Sequence, residues 1–115
     1  MGSMHTGLEE LKGGFKRLAK FYAERAKGGV GLIVTGGIAP NRAGVTAWGG
    51  ARMTKNRHAI AHQQITDAVH NEGGKIVMQI LHSGRYAYTP FAVAPSAIKS
   101  PISKFKPRAL SRRGV

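Results

Sequence analysis

A glutamine ends one of the apolar runs of this sequence, and a glycine occupies the comparable place in another. Gln79 lies near the end of the run that begins at Lys75, and Gly37 closes the run that begins at Val30. A carboxamide offers both a hydrogen-bond donor and an acceptor, so Gln79 can pair with two adjacent positions on a ligand. A glycine lets the backbone approach a flat ring without a Cβ in the way. These residue types indicate a binding site, although a strand-end glutamine tied to a loop and a glycine in a simple turn would give the same pattern.

The opening segment, MGSMHTG at residues 1–7, carries three further candidates for ligand contact. They are Ser3, Met4 and His5. Methionine is an adaptable packing partner for an aromatic face. His5 is interpreted as a contact residue and not as a catalyst, because nothing near it in the sequence orients its ring. The alternative is that Met, Gly and Ser are a cloning remnant without a structural role.

Three histidines lie at spacings that raise the question of a metal site. His58, His62 and His70 are separated by four and eight residues. A pair four residues apart can bind zinc on a helix, but the glutamate of an H-E-x-x-H motif is missing. We therefore predict no metal site and expect His62 to stack over His58 on an exposed helix face. His82 and Arg85, which follow Gln79, are interpreted as anchors of the next loop.

Two amphipathic helices and two apolar strands must position these residues. Apolar residues recur at spacings of three and four through residues 15–27 and again from Arg57 onward, which predicts two helices. The apolar stripes are Phe15, Leu18, Ala19, Tyr22 and Ala26 in the first helix and Ala61, Ile65, Ala68 and Val69 in the second. A Gly-Gly pair is expected to stop each helix. The runs VGLIVTGG and KIVMQIL that follow are predicted to be strands of a parallel sheet, buried on both faces.

This order of elements is typical of βαβ units. The helix-to-strand connections contain only two glycines, whereas long loops follow Gly37 and Gln79, as at the active rim of a (β/α) barrel. If Met1–Met4 are the last residues of a preceding strand, the opening segment lies at the same rim. The predicted fold class is therefore α/β, a partial (β/α)8 TIM barrel with roughly the first three strands and two intervening helices.

Four stretches cover nearly the whole chain and carry a family resemblance. They are MGSMHTGLEE, FYAERAKGGVGLIVTGGIAP, AVHNEGGKIVMQILHSGRYAY and VAPSAIKSPISKFKPRALS. The most specific element is Gln79 with the following LHSGRY, because a polar residue ending an apolar strand is hard to explain as core packing. Together they resemble the N-terminal part of bacterial NADPH-dependent 2,4-dienoyl-CoA reductases, a family in the old yellow enzyme group. Residues 1–115 are thus expected to be an N-terminal fragment of an FMN-binding TIM-barrel domain.

The resemblance implies an FMN lying across the mouth of an eight-stranded barrel. Ser3, Met4 and His5 match the first-strand segment that touches the isoalloxazine ring. Gly37 matches the small residue where the backbone comes close to the flavin, and Gln79 matches the glutamine that bonds the pyrimidine edge. The family also uses FAD, a 4Fe–4S cluster, NADPH and an unsaturated fatty acyl-CoA from β-oxidation. Its proton-donating tyrosine, cluster cysteines and nucleotide domain match nothing here, so no catalytic residue is assigned.

Composition narrows the remaining classes of function. Eighteen Lys and Arg against five acids give a formal charge of +13. Such a balance can indicate a nucleic-acid partner, but the basic residues are spread along the chain, so this partner is not expected. The absence of cysteine excludes disulfides and thiolate zinc sites within the chain. No apolar run reaches about 18 residues and no secretory signal is visible, so we expect a cytoplasmic protein without a membrane partner.

Three hypotheses for the function stay open. The first is a fragment of a dienoyl-CoA reductase. Since a full barrel needs about 250 residues, we expect such a fragment to be inactive alone. We also expect it to self-associate through its open strand edges. The second is a fragment of another old-yellow-enzyme-type ene-reductase or of a trimethylamine dehydrogenase-like flavoprotein. The third is a non-enzymatic basic module that binds polyanions.

Overall fold

The computed structural model describes residues 1–114 and has an α/β architecture built on parallel strands. Its main elements are α1 (Gly14–Lys27), β1 (Leu32–Ile38), α2 (Asn56–Asn71) and β2 (Lys75–Ile80). Two short strands, β3 (Val93–Ala94) and β4 (Arg108–Ala109), pair in parallel, and 3₁₀ turns cover Leu8–Glu10 and Gly84–Tyr86. The predicted order of helix, strand, helix and strand is confirmed. Neither helix of this described part is long and apolar enough to cross a bilayer.

Glycines set the ends of the two long helices. Gly13, just before α1, has a φ of 71°, and Gly29 and Gly73, just after α1 and α2, have φ values of 90° and 75°. Residues with a Cβ rarely adopt this left-handed conformation. The predicted role of the Gly-Gly pairs as helix stops is therefore confirmed.

The apolar stripes of α1 and α2 pack against each other and against β1 to form the core. Leu18, Tyr22, Ile33, Ile65 and Val69 belong to this cluster, and each is at most 2% exposed. Full burial of one such side chain stabilises the fold by about 1.5–3 kcal/mol. This packing holds the carboxyl end of β1 in place beside that of β2.

β1 and β2 form a two-stranded parallel sheet in which β2 is more exposed than expected. Gly37 lies opposite Gln79 in the register, with an irregularity after Val34. Val77 is 46% exposed and Ile80 is 61% exposed. The expectation that this second strand is buried on both faces is therefore wrong for residues 1–114, because only β1 pairs with β2 there.

The opening segment pairs with β1 through a single residue. The Met1 amino group donates to the Leu32 carbonyl at 2.6 Å, and the Val34 N–H donates to the Met1 carbonyl at 3.0 Å. Residues 1–6 contain no assigned strand. The expected end of a first strand is therefore found at the predicted place but is reduced to Met1. Among the described residues, the sheet that Met1 joins contains β1 and β2 only, where roughly three strands were expected.

Candidate functional site

The parallel pairing of β1 and β2 brings Gly37 and Gln79 to the same edge of the sheet. Besides the register pairing, the Gln79 backbone N–H donates to the Thr35 hydroxyl at 3.2 Å. Thr35 is buried, so this hydrogen bond joins the end of β2 to β1 in an environment with little water. The prediction that the two strand ends converge is met by this geometry.

Ser3 reaches the same edge from the opening segment. Its hydroxyl donates to Gln79 Oε1 at 2.7 Å, across 76 residues of sequence. Within residues 1–114, no hydrogen bond from the Gln79 amide nitrogen is found, so its two N–H donors stay available to a ligand. The cloning-remnant alternative does not account for a contact of this kind between residue 3 and a strand end.

Gly36 and Gly37 allow close packing on the two sides of β1. A Cβ on Gly36 would lie 2.8 Å from the Met4 carbonyl oxygen and 2.9 Å from Glu9 Oε1. A Cβ on Gly37 would lie 2.5 Å from Leu81 Cδ2. The glycine at 37 is therefore already required by the Leu81 side chain, a reason that the sequence interpretation did not contain. A planar group that reached this backbone would have to displace Leu81, which is 38% exposed.

Met4 and His5 lie at the rim without contacting Gln79 through hydrogen bonds. Met4 is 48% exposed, and its carbonyl packs on Gly36. His5 Nε2 lies 3.2 Å from Glu10 Oε1, and the His5 ring lines a small cavity together with Gly37. The five predicted residues thus occupy one end of the sheet, with Ser3 and Gln79 in direct contact and the other three around them.

The sequence interpretation missed Glu9, an acidic residue that is only 6% exposed. Its Oε2 accepts a hydrogen bond from the Thr6 hydroxyl at 2.9 Å, whereas its buried Oε1 has no partner within residues 1–114. The spacing Thr-x-x-Glu is that of a capping box, which was the available signal. The side-chain nitrogen and oxygen atoms of His5, Glu9 and Glu10 that could coordinate a metal ion all lie within 4.8 Å of one another.

Tyr22 links the helical core to this edge. The Gly36 N–H donates to the Tyr22 hydroxyl at 3.3 Å, and the tyrosine has no exposed surface. Burial raises the pKa of Tyr22 above its ordinary value, the Gly36 hydrogen bond opposes this change, and the negative charge of Glu9 adds to it. Tyr22 therefore stays a neutral positioning group for the end of β1.

The histidines of α2 are arranged differently from the prediction. His62 is 8% exposed, its Nδ1 lies 2.8 Å from the His58 carbonyl, and its ring meets Phe15 edge-on at 4.8 Å. The expectation that His62 stacks over His58 on an exposed face is therefore wrong, because α1 covers this position. His58 Nδ1 accepts a hydrogen bond from the Thr54 N–H at 3.1 Å. The pKa of His58 is lowered, first by desolvation and second by the positive charge of Arg57.

His82 and Arg85 make contacts in the loops after β1 and β2, as the anchoring interpretation predicts. His82 Nδ1 accepts from the Gly84 N–H at 3.1 Å, and its ring packs at Gly44. One Arg85 guanidinium nitrogen donates to the Tyr86 hydroxyl at 3.1 Å. Both side chains are thus used to shape the loop that borders the site.

Sequence comparisons assign relatives to the chain. The family described as NADH:flavin oxidoreductase / NADH oxidase matches residues 1–113. A metal reductase of Desulforamulus reducens is 37% identical over 100% of this chain and 18% of its own length. An N,N-dimethylglycine/sarcosine dehydrogenase of Chromohalobacter salexigens is 34% identical over 90% of this chain and 16% of its own. An NADPH dehydrogenase of Listeria welshimeri is 30% identical over 82% of this chain and 28% of its own, so the chain spans less than a third of each relative.

Solved structures give the same assignment for the fold. The old yellow enzyme homologue from Zymomonas mobilis matches with a TM-score of 0.74 at 28% identity, over 84% of this chain and 30% of that one. A 2-naphthoyl-CoA reductase in complex with 2-naphthoyl-CoA matches with a TM-score of 0.73 at 27% identity, over 85% of this chain and 17% of that one. The 84–85% of the chain that these matches cover therefore has the fold of one part of an old yellow enzyme barrel.

Proposed function

Because the chain belongs to the NADH:flavin oxidoreductase / NADH oxidase family, we propose that it is part of an FMN-binding barrel that reduces 2,4-dienoyl-CoA thioesters with NADPH. The family and the old yellow enzyme neighbours imply a flavin. The loop GRYAYTPFAVAPS, residues 84–96, favours the dienoyl-CoA type, and a CoA-thioester reductase is among the similar structures. The relative named NADPH dehydrogenase supports the choice of reductant. The cytoplasmic location stays a prediction.

The contact between Ser3 and Gln79 is the observation that carries this proposal. The Ser3 hydroxyl donates a hydrogen bond to Gln79 Oε1 at 2.7 Å, and this bond fixes the orientation of the carboxamide. The amide nitrogen then presents two N–H donors at the carboxyl ends of the strands, where ligands of (β/α) barrels bind. A flavin pyrimidine edge offers carbonyl acceptors next to an N–H donor. The Gln79 N–H groups can donate to a carbonyl, and the second lone pair of Gln79 Oε1 can accept from the N–H.

The chain's own residues bind and orient the cofactor. When bound, FMN supplies hydride transfer between the reduced nicotinamide and the substrate double bond. Gln79 would hold the polar edge of the ring, and Met4, whose side chain is 48% exposed, would offer a polarizable surface to the aromatic face. Leu81 packs against the backbone at Gly37 and would have to move for a flavin ring to approach it. No residue of this chain is assigned as the proton donor.

A second candidate substrate class is a methylated amine. The N,N-dimethylglycine/sarcosine dehydrogenase is 34% identical to this chain, which favours the alternative of an amine-oxidising flavoprotein. A general ene-reductase is the third candidate function, and it is supported by the similarity to the old yellow enzyme homologue of Zymomonas mobilis. All three would use the flavin site proposed above. Membership of an oxidoreductase family argues against a non-enzymatic polyanion-binding module.

A chimera tests the proposal in a closed barrel. Residues 1–113 replace the matching segment of the Listeria welshimeri NADPH dehydrogenase, and the host enzyme is the control. We expect the chimera to bind FMN and, with NADPH, to gain 2,4-dienoyl-CoA reduction relative to the host. A gain of N,N-dimethylglycine oxidation instead would select the second candidate. A folded chimera that does not bind FMN would refute the flavin site itself.

A further inference from the structure

A cavity of about 290 Å³ lies between the loop after β1 and the loop after β2. The charged, aromatic and hydroxyl side chains in its wall are Arg42, Trp48, Arg52, Thr89 and Phe91. The Tyr88 N–H donates to the Thr46 carbonyl at 2.7 Å, and this bond holds the two loops together. Gly50 lies in the wall of this cavity and of the small cavity beside His5 and Gly37. The cavity is therefore a neighbour of the candidate flavin site.

An aromatic pair forms one side of the cavity. The Trp48 and Phe91 rings meet edge-on with their centroids 5.5 Å apart, and the Arg42 guanidinium lies 3.7 Å from the centre of the Phe91 ring. Trp48 is nevertheless 65% exposed. A large indole held beside a second ring and left open to solvent is suited to stacking on a planar ligand, since base–aromatic stacking contributes about 1–3 kcal/mol per base.

Two arginines give the cavity an uncompensated positive charge. Arg52 is held there by backbone bonds, because the Met53 N–H donates to the Ala39 carbonyl at 2.9 Å. Within the described residues, neither Arg42 nor Arg52 has an acidic partner at salt-bridge distance, and no side chain that lines the cavity is acidic. Guanidinium groups bind phosphate through charge-assisted hydrogen bonds, so an anionic ligand is indicated.

A buried hydroxyl adds a third feature. Thr89 is 1% exposed and lies in the cavity wall, and its Oγ1 has no hydrogen-bond partner within residues 1–114. A buried polar group without a partner costs about 1–3 kcal/mol. A ligand with a polar edge would remove this cost.

We infer that this cavity binds an adenosine phosphate, with the base stacked on Trp48 and a phosphate held between Arg42 and Arg52. A base needs the aromatic face, a phosphate needs the cations, and the polar edge of a purine or ribose can satisfy the Thr89 hydroxyl. The volume of about 290 Å³ lies just below the range of about 300–1,000 Å³ for small-molecule pockets. The cavity therefore takes one nucleotide portion of a longer ligand and leaves the remainder outside, toward the flavin site.

Two sources of this nucleotide carry the same chemistry. Acyl-CoA ends in a 3′,5′-bisphosphorylated adenosine, whereas NADPH carries a 2′-phosphorylated one. The choice between these sources rests on the function proposed above, but the binding of the nucleotide does not, because it needs no flavin.

Fluorescence of Trp48 reports this binding directly, because Trp48 is the single tryptophan of the sequence. The 115-residue chain is titrated with 3′,5′-ADP, 2′,5′-ADP and inorganic phosphate at about 0.15 M salt. We expect saturable quenching by the nucleotides and at least tenfold weaker binding of phosphate. Arg42→Gln and Arg52→Gln should each weaken nucleotide binding about tenfold, the effect of losing one charge-assisted bond. Arg17→Gln removes an equal charge from exposed α1 and should leave the affinity unchanged.

The same titrations are repeated on the chimera by calorimetry, so that poor folding of the short chain does not decide the result. Tighter binding of 3′,5′-ADP supports an acyl-CoA source, tighter binding of 2′,5′-ADP supports NADPH, and equal binding shows that the shared 5′ phosphate is recognised. Equal weakening by Arg17→Gln, or phosphate binding as tight as nucleotide binding, would overturn the inference. Tighter binding of a single-stranded RNA than of any mononucleotide, with sensitivity to Arg17→Gln, would also overturn it.

Discussion

The substitution Gln79→Leu separates flavin binding from strand packing. It keeps the side-chain volume roughly constant but removes both hydrogen-bonding groups. In the chimera without FMN, the side-chain bond that is lost goes to Ser3, which is exposed and can bind water instead. The backbone bond from Gln79 to Thr35 does not depend on the side chain and persists. We therefore expect the free energy of unfolding without FMN to change by less than about 1 kcal/mol.

The effect on FMN binding should be larger. If Gln79 pairs with the pyrimidine edge, two polar positions of the buried ring lose their partners, at about 1–3 kcal/mol each. The FMN affinity should then fall at least about tenfold, since 1.4 kcal/mol corresponds to a factor of ten. Ser3→Ala should weaken FMN binding less, because it frees the carboxamide to rotate without removing it. The double variant should bind no more weakly than Gln79→Leu alone.

Fluorescence titration with FMN and thermal melting without FMN measure the two quantities on the same proteins. Gln63→Leu, on the exposed face of α2, is the matched control and should alter neither the FMN affinity nor the melting temperature. The competing explanation is a strand-end glutamine whose purpose is to tie down the opening segment. It requires a lower melting temperature without FMN and an FMN affinity within about twofold of the parent. That result would refute the assignment of Gln79 to the flavin.

Two further predictions concern stability and assembly. The pKa of Tyr22 is raised in the folded protein, so its contribution to stability is complete below about pH 10, the unfolded pKa, and is lost as the pH rises through the folded pKa. Tyr22→Phe should therefore reduce the loss of stability between about pH 9 and about pH 11, measured by urea unfolding. An unchanged loss in Tyr22→Phe would contradict the assignment to Tyr22. The isolated chain should self-associate, because Ile80 is 61% exposed at the end of β2, which among the described residues is paired on one side only, with β1. It should also show no NADPH-dependent reduction of 2,4-dienoyl-CoA, because none of its residues is assigned as the proton donor. Ile80→Lys should shift the mass measured by light scattering toward that of the monomer. Ile98→Lys, at a loop residue that is 60% exposed, should not change it. A monomeric parent chain would contradict this explanation.

Local signals in the sequence were sufficient for the long elements and for the order in which they occur. The four-residue spacing of Leu18, Tyr22 and Ala26 predicts the buried face of α1 because a helix repeats every 3.6 residues. The glycines after α1 and α2 predict the helix ends, since a positive φ is unfavourable for other residues. The convergence of Ser3, Gly37 and Gln79 followed from parallel topology, which places the carboxyl ends of strands at one edge.

Tertiary packing decided the features that depend on segments far apart in the chain. The periodic pattern of α2 does not show that Phe15 of α1 covers His62, and a glutamate in a polar turn gives no sign that Glu9 is buried. The exposure of β2 depends on which strands lie beside it, and the apolar run alone cannot specify neighbours. The cavity of Arg42, Trp48 and Phe91 joins two irregular loops. Irregular segments have no repeating pattern that could predict which side chains meet, so only the fold of the whole chain determines that contact.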